Sequence, residues 1–133
     1  METSELKIGS FIEYSGEMRK VCLLSDTFVK FKIEPKVIRG YTYQSSPPLH
    51  ISNFNPVPLT EKILLNFGFK HRENPDGYDE YFIDKFTIEV LYLSDTTSFI
   101  YYTYDGDVEI EYSHQLQNLY QAIHFKELEY NGK

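Results

Sequence analysis

The stretch 99–123, FIYYTYDGDVEIEYSHQLQNLYQAI, decides the fold. Its first half alternates: Phe99, Tyr101, Val108, Ile110 and Tyr112 fall on one side, and Ile100, Tyr102, Tyr104, Asp107, Glu109 and Glu111 on the other. That is the period of a strand pair with one buried face. Asp105-Gly106 between the two runs is a hairpin signal, because both residues tolerate the positive φ of a two-residue turn. A tight turn there sets Tyr104 opposite Asp107, Tyr102 opposite Glu109 and Ile100 opposite Glu111. From Ser113 the period lengthens. Leu116, Leu119, Tyr120 and Ile123 stand at i, i+3, i+4 and i+7, so a helix packs one face on the sheet and turns Gln117, Asn118 and Gln121 to water. A hairpin followed directly by a packed helix predicts an α+β fold.

The elements upstream agree with that class. Phe86 to Leu93 extends the sheet, and Phe69 to Glu73 and Tyr78 to Phe82 flank Asn74-Pro75-Asp76-Gly77, a hairpin loop. Before them, Thr60 is a helix N-cap, Glu61 suits the positive end of the dipole, Gly68 ends the helix, and Leu59 can staple onto Leu64. Residues 58–133 are therefore expected to form a helix, a four- to five-stranded antiparallel sheet and a C-terminal helix. In the N-terminal part, Ser10 to Tyr14, Arg19 to Leu24 and Thr27 to Ile33 predict short strands of a small antiparallel β-sheet, barrel-like in its curl. Val29, Phe31 and Ile33 form its buried face, and Lys30 and Lys32 point to solvent. Tyr41 to Pro58 is rich in proline, cannot be a regular helix, and is expected to link residues 1–57 to residues 58–133 within one compact unit.

Composition narrows the functional classes. Aromatic residues make up 17% of the 133 residues, which excludes a disordered chain. The formal charge is −7, and it is segregated: residues 1–57 sum to +1 and residues 58–133 to −8. Direct binding to nucleic acid or to an anionic membrane is disfavoured, and a basic protein surface is the expected partner. Cys22 stands alone, so no internal disulfide framework or multi-cysteine zinc site is expected. With no signal-peptide pattern after Met1 and no apolar run of membrane-span length, the expected location is the cytoplasm.

No motif for catalysis, cofactor or metal is legible. His50, His71, His114 and His124 lack metal-ligand spacing, and Asp105-Gly106-Asp107 lacks the remaining ligands of a calcium loop. Asp76, Asp79 and Glu80 are acids near a turn with no nucleophile beside them. Cys22 sits in an apolar strand, where a core role is expected. Binding rather than catalysis is the expected function, with no cofactor. A small enzyme using His50, His71, Asp79 or Glu80 is the remote alternative. Lys20, Lys30, Lys32, Lys36 and Arg39 form a basic group with two readings, contact with RNA or, more ordinarily, a solvated sheet face.

The candidate site is the polar side of the hairpin: Tyr102, Tyr104, Asp107, Glu109 and Glu111, with Glu89 extending it from a neighbouring strand. Acids at alternate positions stand about 7 Å apart. Two readings are open. Such acids keep an edge hairpin soluble, or, with tyrosines as anchors, they imitate a nucleic-acid backbone and occupy a basic groove.

Residues 56–69, PVPLTEKILLNFGF, residues 114–120, HQLQNLY, and Glu127-Leu128 resemble a family of small proteins from Bacteroidota phages and prophages, over roughly residues 49–130. Leu6-Lys7-Ile8-Gly9 matches loosely. Where that family has a Thr-Gly turn before its Glu-Leu, this chain has Ile123-His124-Phe125-Lys126. The resemblance implies a setting, the cytoplasm of a bacterial host, in which small acidic phage proteins inhibit host machinery; anti-CRISPR proteins are one such group. An RNA-guided nuclease, whose guide and target lie in a basic channel, is then the implied partner. A phage accessory or structural protein is the alternative.

Overall fold

The computed structural model describes residues 3–73, 79–103 and 106–131. Its strands are β1 (Phe11–Tyr14), β2 (Glu17–Leu24), β3 (Phe28–Ile38), β4 (Tyr41–Ser45), β5 (Leu49–His50), β6 (Asn55–Pro56), β7 (Lys70–Glu73), β8 (Asp79–Ile83), β9 (Phe86–Tyr92), β10 (Thr97–Thr103) and β11 (Gly106–Ile110). Two α-helices, α1 (Glu61–Asn66) and α2 (Ser113–His124), complete an α+β fold. The chain divides into two compact units, Met1–Val57 and Pro58–Lys133.

In the first unit the strand order is β4-β3-β2-β1-β6, with β5 also on β3. The path is open at β4 and β6, so the expected barrel-like closure does not occur. Ile12, Val21, Val29, Phe31, Phe54 and Leu6 form the core, and Tyr14 packs its ring 5.2 Å from that of Phe31 and 5.3 Å from that of Phe54. The expected linker is also corrected: residues 41–56 supply β4, β5, a 3-10 turn at Ile51–Asn53, and β6. Proline excludes a helix there but leaves short edge strands open to it. Buried Ser46 makes the handover along β3. Its backbone N–H donates to Phe31 O at 2.8 Å and its Oγ accepts from Phe31 N–H at 3.0 Å, between the part of β3 paired with β5 and the part paired with β4. Cys22 lies at a register shift between Val21 and Leu23 and is half-buried, outside the core cluster in which it was expected.

The second unit is a five-stranded antiparallel meander, β11-β10-β9-β8-β7. Helix α1 starts as expected: Thr60 Oγ1 accepts from Ile63 N–H at 3.2 Å. It closes with Phe69 N–H on Leu64 O and Gly68 N–H on Leu65 O, a Schellman pair that needs the positive φ of Gly68, +91°. At α2, the Gln115 side chain accepts from the backbone N–H groups of Tyr112 and Glu111. The centre of this core is Phe86, stacked on Tyr101 at 4.5 Å and meeting Tyr120 and His124 of α2 edge-on. Helix α2 ends at Phe125, a non-glycine residue at φ +57° and almost wholly exposed.

The hairpin register differs from expectation by two residues. Tyr102 pairs with Asp107, Ile100 with Glu109, and the ladder closes at Thr103 opposite Gly106. Gly106 takes φ +144°, so its glycine serves the first residue of the returning strand. Because the slip is even, every side chain keeps its face, while Glu111 passes beyond β11. Tyr104, Asp105 and the loop Asn74-Pro75-Asp76-Gly77 lie outside the described residues.

Candidate functional site

The register across β9, β10 and β11 assembles the acidic face. Ile100 pairs with Glu89 on one side and with Glu109 on the other, so the two carboxylates flank it in one row, roughly 10 Å apart across two strand spacings. Tyr102 and Asp107 form the next row. Tyr102 is 46% exposed, Asp107 and Glu109 are exposed, and Glu89 is half-buried. Ser98 Oγ donates to Glu109 Oε1 at 3.3 Å. Helix α2 packs on the opposite side through Phe86 and Tyr101, as alternation requires. Of the expected residues, Glu89, Tyr102, Asp107 and Glu109 are therefore brought together. Glu111 is exposed beyond the strand, its carbonyl accepting from Leu59 N–H at 2.9 Å. Val108, expected in the core, is 39% exposed, because it lies on the edge strand towards the hairpin end.

The acidic row continues to Glu80, directly opposite Glu89 on β8. Two carboxylates facing each other across a ladder repel, and Glu80 is buried. Arg72 on β7 relieves this, donating from Nε at 3.0 Å and from a terminal nitrogen at 2.7 Å to Glu80 Oε2, its guanidinium 4.6 Å from the Phe82 ring centre. The sheet face is thus neutralised at its β7–β8 end and anionic at its β9–β11 end.

On the helix-covered side, at the open end of the sheet, a second polar group forms. His71 Nε2 lies 2.9 Å from Asp79 Oδ1, and the Tyr92 hydroxyl reaches Asp79 Oδ2 at 2.5 Å and also Glu61 Oε1. The hydroxyl has a single proton for two carboxylates. Its hydrogen bonds to Asp79, then Glu61, raise the Tyr92 phenol far above its ordinary range, whereas the hydrogen bonds from Tyr92, then His71, lower Asp79. Tyr81, beside them, is raised first by burial and then by Glu61 and Asp79. Tyr92 here is a proton donor and Asp79 a fixed anion, so the group ties the first turn of α1 to β7, β8 and β9. An open depression of about 620 Å³ adjoins it, lined by residues including Leu59, Lys62, Thr97 and Phe99.

Sequence spacing named His71 and Asp79 but missed Glu61 and Tyr92. The available signal was shared strand parity plus the helix start at Thr60. Of the other residues named for catalysis, Glu80 lies on the opposite face, and His50 is in the first unit with Nδ1 2.8 Å from Ser52 Oγ. His114 is buried and stacks on Tyr112, and His124 stacks on Tyr120 at 4.5 Å. Among the described residues no group of three or more His, Cys, Asp or Glu side chains is placed to hold a metal ion. Among the same residues no helix is long and apolar enough to cross a membrane.

Fold and site together define a two-unit α+β protein with one anionic, tyrosine-bearing sheet face. Comparison with protein-family models, with curated proteins and with solved structures finds no match.

Proposed function

We propose that this chain is a non-catalytic binding protein whose sheet face, through Glu89, Tyr102, Asp107 and Glu109, docks on a basic protein surface. The carrying observation is the row in which Glu89 and Glu109 flank Ile100, with Tyr102 and Asp107 beside it, on the sheet side opposite α2. The sheet holds the backbone that carries these carboxylates, so only their side chains are ordered on binding, and a rigid tyrosine adds apolar contact area at low entropic cost. In the phage setting implied by the resemblance, the partner is the basic guide channel of a host RNA-guided nuclease, and occupation of that channel inhibits the enzyme.

The test is affinity capture from a CRISPR-bearing Bacteroidota lysate. The baits are the wild-type chain and the variant Glu89→Gln, Asp107→Asn, Glu109→Gln. Recovery of a guide-RNA nuclease by the wild type alone, lost as salt is raised, is the expected result. Recovery of another partner equally by both baits would transfer the assignment to an accessory protein and leave the acids as a solubility device.

A further inference from the structure

The most exposed part of the first unit is the far end of the β3–β4 hairpin. Every residue from 34 to 44 is exposed, yet the segment includes Val37, Ile38, Tyr41 and Tyr43, the largest exposures being Tyr41 at 70% and Val37 at 68%. Lys36 pairs with Tyr43, and Ile38 with Tyr41. Beyond the register shift, Lys32 pairs with Ser45, so Lys32, Lys36, Tyr41 and Tyr43 share one face. Arg39 and Gly40 form the two-residue turn, and both take positive φ, +52° and +81°. Glycine or asparagine is the ordinary occupant of the first of these positions; an arginine there holds its guanidinium at the tip against a conformational cost.

Charge sets this hairpin apart from the rest of the molecule. From Phe28 to Ser45 it carries Lys30, Lys32, Lys36 and Arg39 against Glu34, a local +3 in a chain of −7. The whole-chain charge, which argues against nucleic acid, is an average over two oppositely charged regions. We infer that this hairpin is a binding arm for single-stranded nucleic acid, bases stacking on Tyr41 and Tyr43 and phosphates meeting Lys32, Lys36 and Arg39. The two rings are about 7 Å apart along the strand, room for neighbouring bases of an extended, unstacked single strand to lie one on each ring. A flat tyrosine face beside a lysine suits any base, which makes the arm tolerant of sequence. An acidic protein surface would use the same cations but has no requirement for two exposed rings at this spacing.

This inference stands on different residues from the acidic face and does not depend on it. The test is fluorescence anisotropy of labelled oligouridylate and oligodeoxythymidylate at low salt with the full chain. Binding of either strand by the wild type is expected. The pair Tyr41→Ala, Tyr43→Ala should weaken it by about 30-fold or more, while Tyr41→Phe, Tyr43→Phe retains it because the rings remain. The pair Lys36→Ala, Arg39→Ala should flatten the slope of log affinity against log salt by about 1.4. All these side chains are exposed, and circular dichroism checks that each variant is folded. No binding by the wild type, or equal binding by the alanine pair, would overturn the inference. So would displacement by oligoglutamate at equal charge concentration, which would make an acidic protein the occupant.

Discussion

Two hairpins of this chain share a plan and differ in sign. In β3–β4 the rows are Lys36 with Tyr43 and Ile38 with Tyr41; in β10–β11 they are Ile100 with Glu109 and Tyr102 with Asp107. Each sets tyrosine and an aliphatic residue among charges of one sign. They also differ in what lies beneath them. Tyr101 of β10 stacks on buried Phe86, whereas residues 34–44 are exposed on both faces of the hairpin. The acidic hairpin is therefore one side of a supported sheet, and the basic one is an arm. Strand alternation supplies the same platform in both cases, and cross-strand neighbours decide what it can face.

Removing the support should have the largest effect. Phe86→Ala is expected to cost about 3–5 kcal/mol, the usual range for truncating a buried phenylalanine. Val37→Ala, on the arm, should stay within about 0.5 kcal/mol. Urea unfolding of the two variants measures both, and similar losses would break the contrast.

The anionic face has its own supporting contact. Arg72→Ala removes the guanidinium that offsets buried Glu80 opposite Glu89, and should cost about 2 kcal/mol, less than a fully buried pair because Arg72 is half exposed. Replacing Arg72 and Glu80 together by leucine should recover most of that loss in the same assay. A smaller gain is expected at the end of α2, where Phe125→Gly removes a left-handed non-glycine residue. Thermal unfolding should show a rise equivalent to about 1 kcal/mol or less.

The smallest effect is on pH dependence, through Asp79 and Tyr92. Asp79 is lowered in the folded chain, so its stabilisation is present above the ordinary aspartate range and is lost as pH falls through the folded value. Tyr92 is raised, so its stabilisation is complete below the ordinary tyrosine value of ~10 and declines above it, as the unfolded chain ionises first. Asp79→Asn should flatten the acid limb of a stability–pH curve, and Tyr92→Phe the alkaline limb. If Tyr92→Phe left the alkaline limb unchanged, the shared proton would have no energetic weight.

Much of this was legible locally. Thr60, Glu61 and Gly68 mark α1 because capping and left-handed termination are properties of a few neighbouring residues. The period change at Ser113 likewise announces α2. The faces of β10 and β11 were legible for the same reason, and an even register slip preserves them. The slip itself was not. Turn chemistry at Asp105-Gly106 suggested one pairing, but the ladder places Gly106 in the strand, opposite Thr103. The arm was missed because Pro35 and the prolines after Ser46 resemble punctuation, although Tyr41–Ser45 has a partner strand to pair with.

Residue order by itself determined the α+β class, both ends of α1 and the start of α2, the two faces of β10 and β11, and the segregation of charge between residues 1–57 and 58–133. Those features depend on side-chain chemistry within a few positions or on simple counting. Tertiary structure decided which residues meet: Glu89 with Glu109 across Ile100, Arg72 with Glu80, Glu61 and Asp79 on one Tyr92 hydroxyl, and Lys36 beside Tyr43. Such meetings follow from strand order and register, which are set by the competition of whole sheets to bury their apolar faces, and no local pattern encodes the outcome of that competition.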